Sequence, residues 1–217
     1  MRLRAFLLAT LAALLVGARS RADVTPPSDK PDTAYGRIDG DLGASLGAGT
    51  TAGSRGLRGA ADLRLRYLDT AGVFVSYEEG PLFGSPAEPQ RVLVGGLELR
   101  PLFLARWLNG AEVGWDRLDL AIDSLGLELG AVAEQPAGRP FGSRPGLQLG
   151  LGLELPVGTN ASGPWIGLHG GVRWGYSALE GEPVQDANDR ALFLMITLAY
   201  HQIFGAHVVD VGDTAPR

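Results

Sequence analysis

The sequence contains no cysteine, which excludes disulfide bonds and a lipid anchor attached to an N-terminal cysteine. Lysine occurs once, at Lys30, so arginine supplies nearly all of the positive charge. Acidic residues outnumber basic ones by 24 to 19, and this balance argues against nucleic acid as a partner. Beyond residue 22, no apolar run approaches the roughly 20 residues of a membrane-spanning helix. Stability must therefore come from noncovalent packing, and any membrane crossing must use another kind of element.

The N-terminus has the three parts of a secretory signal peptide. Arg2 and Arg4 precede a mostly apolar run over residues 5–18, and a short exit with small residues follows. The run is too short to span a membrane as a helix, so we predict a cleaved signal peptide over residues 1–22. Removing it takes away four arginines and no acidic residue, which leaves 15 basic and 24 acidic residues. Residues 23–34 contain three prolines among polar residues and predict a flexible lead-in.

The segment 146–155 has the clearest pattern in the chain. Leucine occupies every odd position from 147 to 155, whereas glycine, Gln148 and Glu154 occupy the even positions. A period of two is the side-chain period of a β-strand. One face of this strand is entirely apolar, and the other carries the polar and charged residues. The pattern predicts a strand whose leucine face contacts lipid and whose polar face lines a narrow interior.

The same alternation recurs along the chain and predicts an all-β fold. Eight strands are indicated, an even number that is typical of a transmembrane antiparallel up-and-down β-barrel. We expect short turns after strands two and six and long loops after strands three, five and seven. The predicted strands are about 36–49, 57–68, 72–79, 91–107, 117–133, 146–157, 164–178 and 191–204.

Two of these strands contain irregular positions. Pro101 falls inside predicted strand four, where it cannot donate a ladder hydrogen bond, so it marks either a bulge or the end of the strand. In predicted strand five the leucines change from even to odd positions near Asp123 and Ser124. A β-bulge would produce this change, and a turn would produce it as well. The first loop, 50–56, is short for an outer loop, and the fourth connection, 108–116, is long for a turn.

The signal peptide, the eight alternating strands and the alternation of turns and loops resemble the small eight-stranded outer-membrane β-barrels of Gram-negative bacteria. The segment 198–204, which ends in Ile203-Phe204, resembles the C-terminal signal that is read by the barrel assembly machinery. The resemblance implies a barrel over residues 35–204 in the cell outer membrane and a periplasmic tail over 205–217. It also implies outer-membrane lipid, lipopolysaccharide and the assembly machinery as partners.

The inward face of the predicted barrel collects charge of both signs. Eight strands leave an interior that side chains just fill, and arginine–carboxylate pairs can form there. Glycines on the same face would leave room for long arginine side chains. The residues predicted to form this lumen charge network are Arg37, Asp39, Asp41, Asp62, Arg64, Arg66, Glu98, Arg100, Arg106, Glu128, Glu154, His169 and Arg173. A packed polar plug is the preferred interpretation, and a gated ion or solute path is the alternative.

The histidines are the best candidates for catalysis, but their surroundings argue against it. Outer-membrane lipid-A deacylases are similar to this chain in size and strand number, and they carry His-x-Ser on one strand. Here His169, His201 and His207 are each followed two positions later by a residue other than serine. The histidines are also too far apart in sequence for a zinc site, and cysteine is absent. We therefore predict no catalytic residue, no cofactor and no metal site.

Together these patterns predict an outer-membrane β-barrel protein with a charge-packed lumen, a structural or surface-interaction role and no enzymatic activity. The alternative is a small channel or transporter that moves solutes across the outer membrane. A lipid-modifying barrel enzyme is a third hypothesis. A soluble lipocalin-like binder would need an apolar interior and a charged exterior, which is the opposite of the pattern in this chain.

Overall fold

A computed structural model describes residues 42–54, 56–83, 89–109, 111, 113–180 and 190–204. Within these residues the chain forms eight β-strands and three short helices. In chain order they are β1 (Leu42–Gly53), β2 (Gly56–Tyr67), β3 (Ala71–Glu79), β4 (Arg91–Leu99), α1 (Pro101–Leu108), α2 (Asp116–Asp123), β5 (Gly126–Gln135), β6 (Gly146–Pro156), β7 (Gly163–Trp174), α3 (Tyr176–Glu180) and β8 (Arg190–Phe204).

The eight strands form one closed antiparallel barrel, which confirms the predicted all-β fold and the predicted number of strands. Each strand pairs with the next, and β8 pairs with β1. Following paired residues once around the barrel from Gly43 leads back to β1 at Gly53, so the register is staggered by ten residues. Eight strands with this stagger tilt by about 40° and form a cylinder with a radius of about 8 Å. Such an interior holds side chains and little else.

The two ends of the barrel differ. The lower end, as we name it, holds the start of β1, the β2–β3 turn, the α1–α2 segment, the β6–β7 turn and the end of β8. The upper end holds the remaining connections. At the lower end, Leu68 and Asp69 adopt φ angles of 48° and 50°, the left-handed values of a type I′ turn, and the Thr70 N–H donates to the Tyr67 carbonyl oxygen at 3.0 Å. This tight turn agrees with the short connection predicted after strand two.

The outward face of the barrel is apolar. Among the described strand residues, the charged side chains on this face are Glu79, Arg91 and Arg190, and all three lie at the upper end. None of the described helices is long and apolar enough to cross a membrane. Exposed aliphatic side chains occur on the outward face of every strand: Leu46, Leu57, Leu63, Leu65, Val73, Val75, Leu93, Leu97, Leu99, Leu127, Leu129, Leu149, Leu151, Leu155, Ile166, Leu192, Leu194, Ile196 and Leu198.

Strand four ends earlier than predicted, and strand five begins later. Strand four does not run to residue 107, because β4 ends at Leu99 and Pro101 opens α1. Proline suits the first position of a helix, where its missing N–H has no intrahelical partner. The even leucines of predicted strand five belong to α2, so neither a bulge nor a turn explains the phase change. The period changes from helical to extended between Ser124 and Gly126.

Three further boundaries also differ from the prediction. β1 extends to Gly53, which pairs with Gly56 at the start of β2, so the predicted loop 50–56 is wrong. β7 ends at Trp174, and the last residues assigned to strand seven form α3. The signal peptide, the lead-in, residues 36–41 and the C-terminal tail lie outside the described residues.

Candidate functional site: the charged interior of the barrel

Arg64 on β2 is the central cation of the lower interior. Its Nε donates to Asp62 Oδ2 at 2.6 Å, and its Nη1 donates to Glu128 Oε1 at 2.6 Å and to Glu98 Oε2 at 3.1 Å. The side chain of Arg64 has no exposed surface. Because these carboxylates come from β2, β4 and β5, a single guanidinium group links three strands. Its position follows from the strand period, which turns every second side chain of β2 inward.

Arg66 and Arg100 share two carboxylates below Arg64. Arg66 donates to Glu98 Oε2 at 3.0 Å and to Glu154 Oε1 at 2.9 Å. Arg100 donates to Glu98 Oε1 at 2.9 Å, to Asp69 Oδ1 at 2.8 Å and to Glu154. These contacts connect β2, β4 and β6 and attach the β2–β3 turn to them. We call the following residues the lower charge cluster: Asp62, Arg64, Arg66, Asp69, Glu98, Arg100, Glu128, Glu154, His169 and His201.

The two histidines of the lower charge cluster each lie beside a carboxylate. His169 Nδ1 is 2.8 Å from Glu128 Oε1, and His201 Nε2 is 3.4 Å from Glu154 Oε1. The ring of His201 stacks on the indole of Trp165, with ring centroids 4.5 Å apart and an 8° angle between the planes. Both imidazoles are buried. These two histidines extend the network of polar contacts to β7 and β8.

The lower charge cluster carries more negative than positive groups. Five carboxylates face three guanidinium groups, and the two histidines contact two of those carboxylates. Breaking such a buried network by removing one partner leaves an uncompensated charge. The network therefore fixes the relative positions of the strands.

The upper interior contains a separate and smaller polar group. Arg173 donates to Gln148 Oε1 at 2.7 Å and to Glu78 Oε1 at 2.7 Å, and its guanidinium lies 4.2 Å from the centroid of the Phe193 ring. Buried apolar side chains fill much of the remaining interior. They form two clusters, one of Phe74, Val92, Val94 and Val132 and one of Ala60, Phe193 and Met195. Val92 and Phe193 line the same small cavity as Glu78 and Arg173, so apolar and charged side chains fill the upper interior together.

The inward glycines of β6 make room for a different pair than expected. A Cβ atom on Gly152 would lie 2.8 Å from His169 Nδ1 and 2.9 Å from Glu128 Oε1. A Cβ atom on Gly150 would lie 3.2 Å from Glu128 Oε2. The glycines therefore accommodate the Glu128–His169 pair, whereas the sequence predicted that they would accommodate arginine. Arg173 instead lies beside Gln148.

The structure places the predicted network residues in three groups. Arg37, Asp39 and Asp41 lie outside the described residues. Arg106 was predicted to point inward from strand four, but it lies on α1 and is only half-buried, because β4 ends before it. The remaining nine residues are buried inside the barrel: Asp62, Arg64, Arg66, Glu98, Arg100, Glu128, Glu154, His169 and Arg173.

The predicted charge network omitted four residues that take part in these contacts. Glu78, Gln148 and His201 occupy inward positions of β3, β6 and β8, so the alternation alone could have identified them. Asp69 lies in the β2–β3 turn, where no side-chain period applies. Only the structure shows that this turn folds its carboxylate towards Arg100.

The α1–α2 segment covers the lower end of the barrel. Arg106 on α1 pairs with Asp119 and Asp123 on α2, with 2.5 Å between its Nη1 and Asp123 Oδ1. Burial alone would lower the pKa of Arg106, but the two aspartates outweigh that effect and raise it above its usual value. Leu120 is fully buried and packs against a cluster that contains Trp165. The side chain of Leu120 on α2 thereby packs into the lower opening of the barrel.

Ser124 attaches the end of α2 to β6. Its hydroxyl accepts a hydrogen bond from the backbone N–H of Glu154 at 2.8 Å, and it lies 2.7 Å from the carbonyl oxygens of Glu154 and Ala121, to which it can donate. Ser124 is 1% exposed, so water cannot replace these bonds. The contact holds the helix directly beneath the lower charge cluster.

We predict that Ser124→Ala lowers the free energy of unfolding by about 1–3 kcal/mol, the cost of leaving a buried polar group without its partner. Equilibrium unfolding in urea in detergent micelles would measure the change. Ser143→Ala is the matched control, because Ser143 is exposed and its replacement should stay within about 0.5 kcal/mol of the original chain. Equal effects of the two substitutions would contradict the role assigned to Ser124.

Two cavities lined by described residues inside the barrel are small. A cavity of about 20 Å³ at the lower end is lined by Arg66, Arg100, Leu120 and His201, among others. A second cavity of about 20 Å³ lies at the upper end beside Arg173. Each has room for about one water molecule. Neither has the dimensions of a pocket for an organic ligand, which usually requires roughly 300 Å³ or more.

The polar groups of the interior, as far as the structure describes them, do not form a recognisable catalytic set. Ser45 lies opposite His201 in the register of β1 and β8, but its hydroxyl accepts a hydrogen bond from Arg66 Nη1 at 3.4 Å. Among the described residues, no group of three or more histidine, aspartate or glutamate side chains is arranged to hold a metal ion. Comparison of this chain with known proteins gave no matching family model, no matching curated protein and no matching solved structure.

Proposed function

We propose that this chain is an outer-membrane β-barrel protein with a charge-packed lumen and a structural or surface-interaction role without catalysis. Its partners would be outer-membrane lipid, lipopolysaccharide and, during insertion, the barrel assembly machinery that reads the last strand. The upper loops, carried on a rigid barrel, would provide the interaction surface.

The observation that carries this proposal is the distribution of charge across the barrel wall. The charged side chains of the described strands face inward, except for three at the upper end, and exposed aliphatic side chains surround the circumference. The largest apolar patch of an ordinary soluble monomer covers roughly 300–600 Å², whereas this band is continuous around a whole barrel. Tilted strands of about 9–11 residues suffice to cross a bilayer, and the described strands have 9 to 15 residues. Lipid is the solvent that suits such a surface.

The filled interior favours a structural role over a channel. A solute passing along the axis would have to displace both the apolar cluster around Phe74 and the ion pairs of Arg64. Those pairs are buried and join several strands, so displacing them would also loosen the wall. The absence of a serine partner for His169 or His201 within the described contacts likewise gives no support to a lipid-modifying enzyme.

Heat modifiability tests the proposal directly. We expect the purified protein, unboiled in SDS, to migrate at a different apparent mass from the boiled protein, because a closed barrel exposes no free strand edge. Membrane fractionation of cells that express the full chain should recover it with outer-membrane lipid. A protein that is released by mild salt and shows one mobility, boiled or unboiled, would contradict the proposal.

A further inference from the structure

The α1–α2 segment carries an apolar stripe on the side that faces away from the barrel interior. Leu118 and Leu125 are each 36% exposed, and Ile122 between them is half-buried. The spacing of four residues places Leu118 and Ile122 on one face of α2, and Leu125 follows just after the helix ends. Trp115, immediately before α2, is 63% exposed. The opposite side of α2 holds the buried residues Asp119, Leu120 and Asp123, whereas Leu118, Leu125 and Trp115 keep exposed surface that no other described residue covers.

This stripe continues into the outward face of the barrel. Leu125 is followed at the same parity by Leu127 and Leu129 on β5, which are 49% and 47% exposed. The apolar face of α2 and the apolar face of β5 therefore form one surface. Tyr67 and Tyr200 lie on the outward face at the same end of the barrel, where aromatic residues commonly mark the membrane–water boundary.

We infer that the α1–α2 segment is an interfacial membrane element, whose stripe and Trp115 insert at the headgroup boundary of the leaflet at the lower end of the barrel. The inference rests on the proposed function, since it requires the barrel to be in lipid. Continuity with Leu127 selects lipid over a protein partner, because the occupant of the stripe must adjoin whatever surrounds β5. Tryptophan suits this position, since its ring is apolar and its N–H can remain hydrated.

The same helix would then connect the membrane to the closed opening. Leu118 and Leu120 are two positions apart, so on a helix they point in different directions. Leu118 faces the lipid side, whereas Leu120 is buried in the cluster with Trp165. Lipid contact on one face would hold the other face in the barrel opening, in addition to the bonds of Ser124 and Arg106.

Quenching of tryptophan fluorescence by brominated lipids tests the inference in the full chain. Emission would be recorded in vesicles of phosphatidylcholine brominated either near the headgroup or near the bilayer centre, for the original chain, Trp115→Phe and Trp174→Phe. Each difference spectrum reports on one indole. Trp174 faces outward at the upper end of β7 and serves as the internal reference for barrel insertion. The SDS mobility shift of each variant would verify folding.

We expect the Trp115 emission to fall by roughly twofold or more in the lipid brominated near the headgroup, and to fall less in the lipid brominated near the centre. Quenching of Trp174 without quenching of Trp115 would overturn the inference and leave the proposed function intact. In that case, access of aqueous iodide to Trp115 would identify a solvent-exposed segment, and protection from iodide would identify a protein partner or a second copy. Quenching of neither indole would overturn the proposed function itself.

Discussion

Replacing Arg64 with alanine should cost about 3–5 kcal/mol of unfolding free energy, the range measured when one partner of a buried ion pair is removed. The side chain has no exposed surface and contacts Asp62, Glu98 and Glu128. Removing it leaves three carboxylates near one another in an interior that admits little water. Two further arginines contact Glu98 but neither contacts Glu128, so the remaining cations cannot take over every bond.

Unfolding in urea in detergent micelles, with the SDS mobility shift as a second reading, would measure the Arg64→Ala effect. Arg91→Ala is the matched control: Arg91 pairs with Glu79 at 3.2 Å, but both side chains are more than a third exposed, so its loss should cost at most about 1 kcal/mol. The loss of unfolding free energy for Arg64→Lys should lie between the losses for Arg64→Ala and Arg91→Ala. The lysine ammonium group keeps the positive charge but cannot reproduce the planar set of N–H donors of a guanidinium group. Equal costs at Arg64 and Arg91 would show that the interior network is hydrated and contributes little.

The barrel and its inward charges could be predicted because a strand has a strict period of two. Once Leu63 and Leu65 are assigned to the outward face, Arg64 has to point inward, and the same argument applies on the other strands. Placing an unpaired charge in an apolar environment costs much free energy. The odd or even positions of a few arginines therefore indicate which face of each strand points inward. The nine buried residues of the predicted network follow from this argument alone.

The lower end could not be predicted by the same reasoning. Pro101 was recognised as unfit for a strand interior, but Phe103 and Trp107 continued the odd-numbered apolar face predicted for strand four. In α2, Leu118, Leu120 and Ile122 also alternate, although the helix sends Leu120 inward and Leu118 outward. Over eight residues, alternating apolar positions do not distinguish a strand from a short helix that has apolar side chains on two of its faces. The ion pairs between Arg106 and the aspartates of α2 depend on this helical geometry, so the sequence pattern could not predict them either.

The second prediction concerns the outer wall of the barrel. Leu151→Arg should cost about 2–4 kcal/mol in a bilayer, the cost of an arginine on the lipid face near the midplane. Leu151 lies in the middle of β6 and is 56% exposed, with a leucine two positions away on either side. An arginine there has no inward route, since the interior side of β6 is occupied by the Glu128–His169 pair. Equilibrium unfolding in lipid vesicles would measure the cost.

Leu155→Arg on the same strand separates the lipid explanation from a general loss of leucine packing. Leu155 is next to the lower end of β6 and is 37% exposed, about 10 Å nearer to the headgroups for a strand tilted by about 40°. An arginine there can extend into the headgroups, so its cost should fall to about 0–1 kcal/mol. Leu151→Ala controls for the lost side chain without adding charge. In a soluble barrel both arginines would face water and each should stay within about 0.5 kcal/mol of the original chain. A depth-dependent cost is therefore specific to a barrel surrounded by lipid, and its absence would contradict the membrane proposal and the interfacial segment that depends on it.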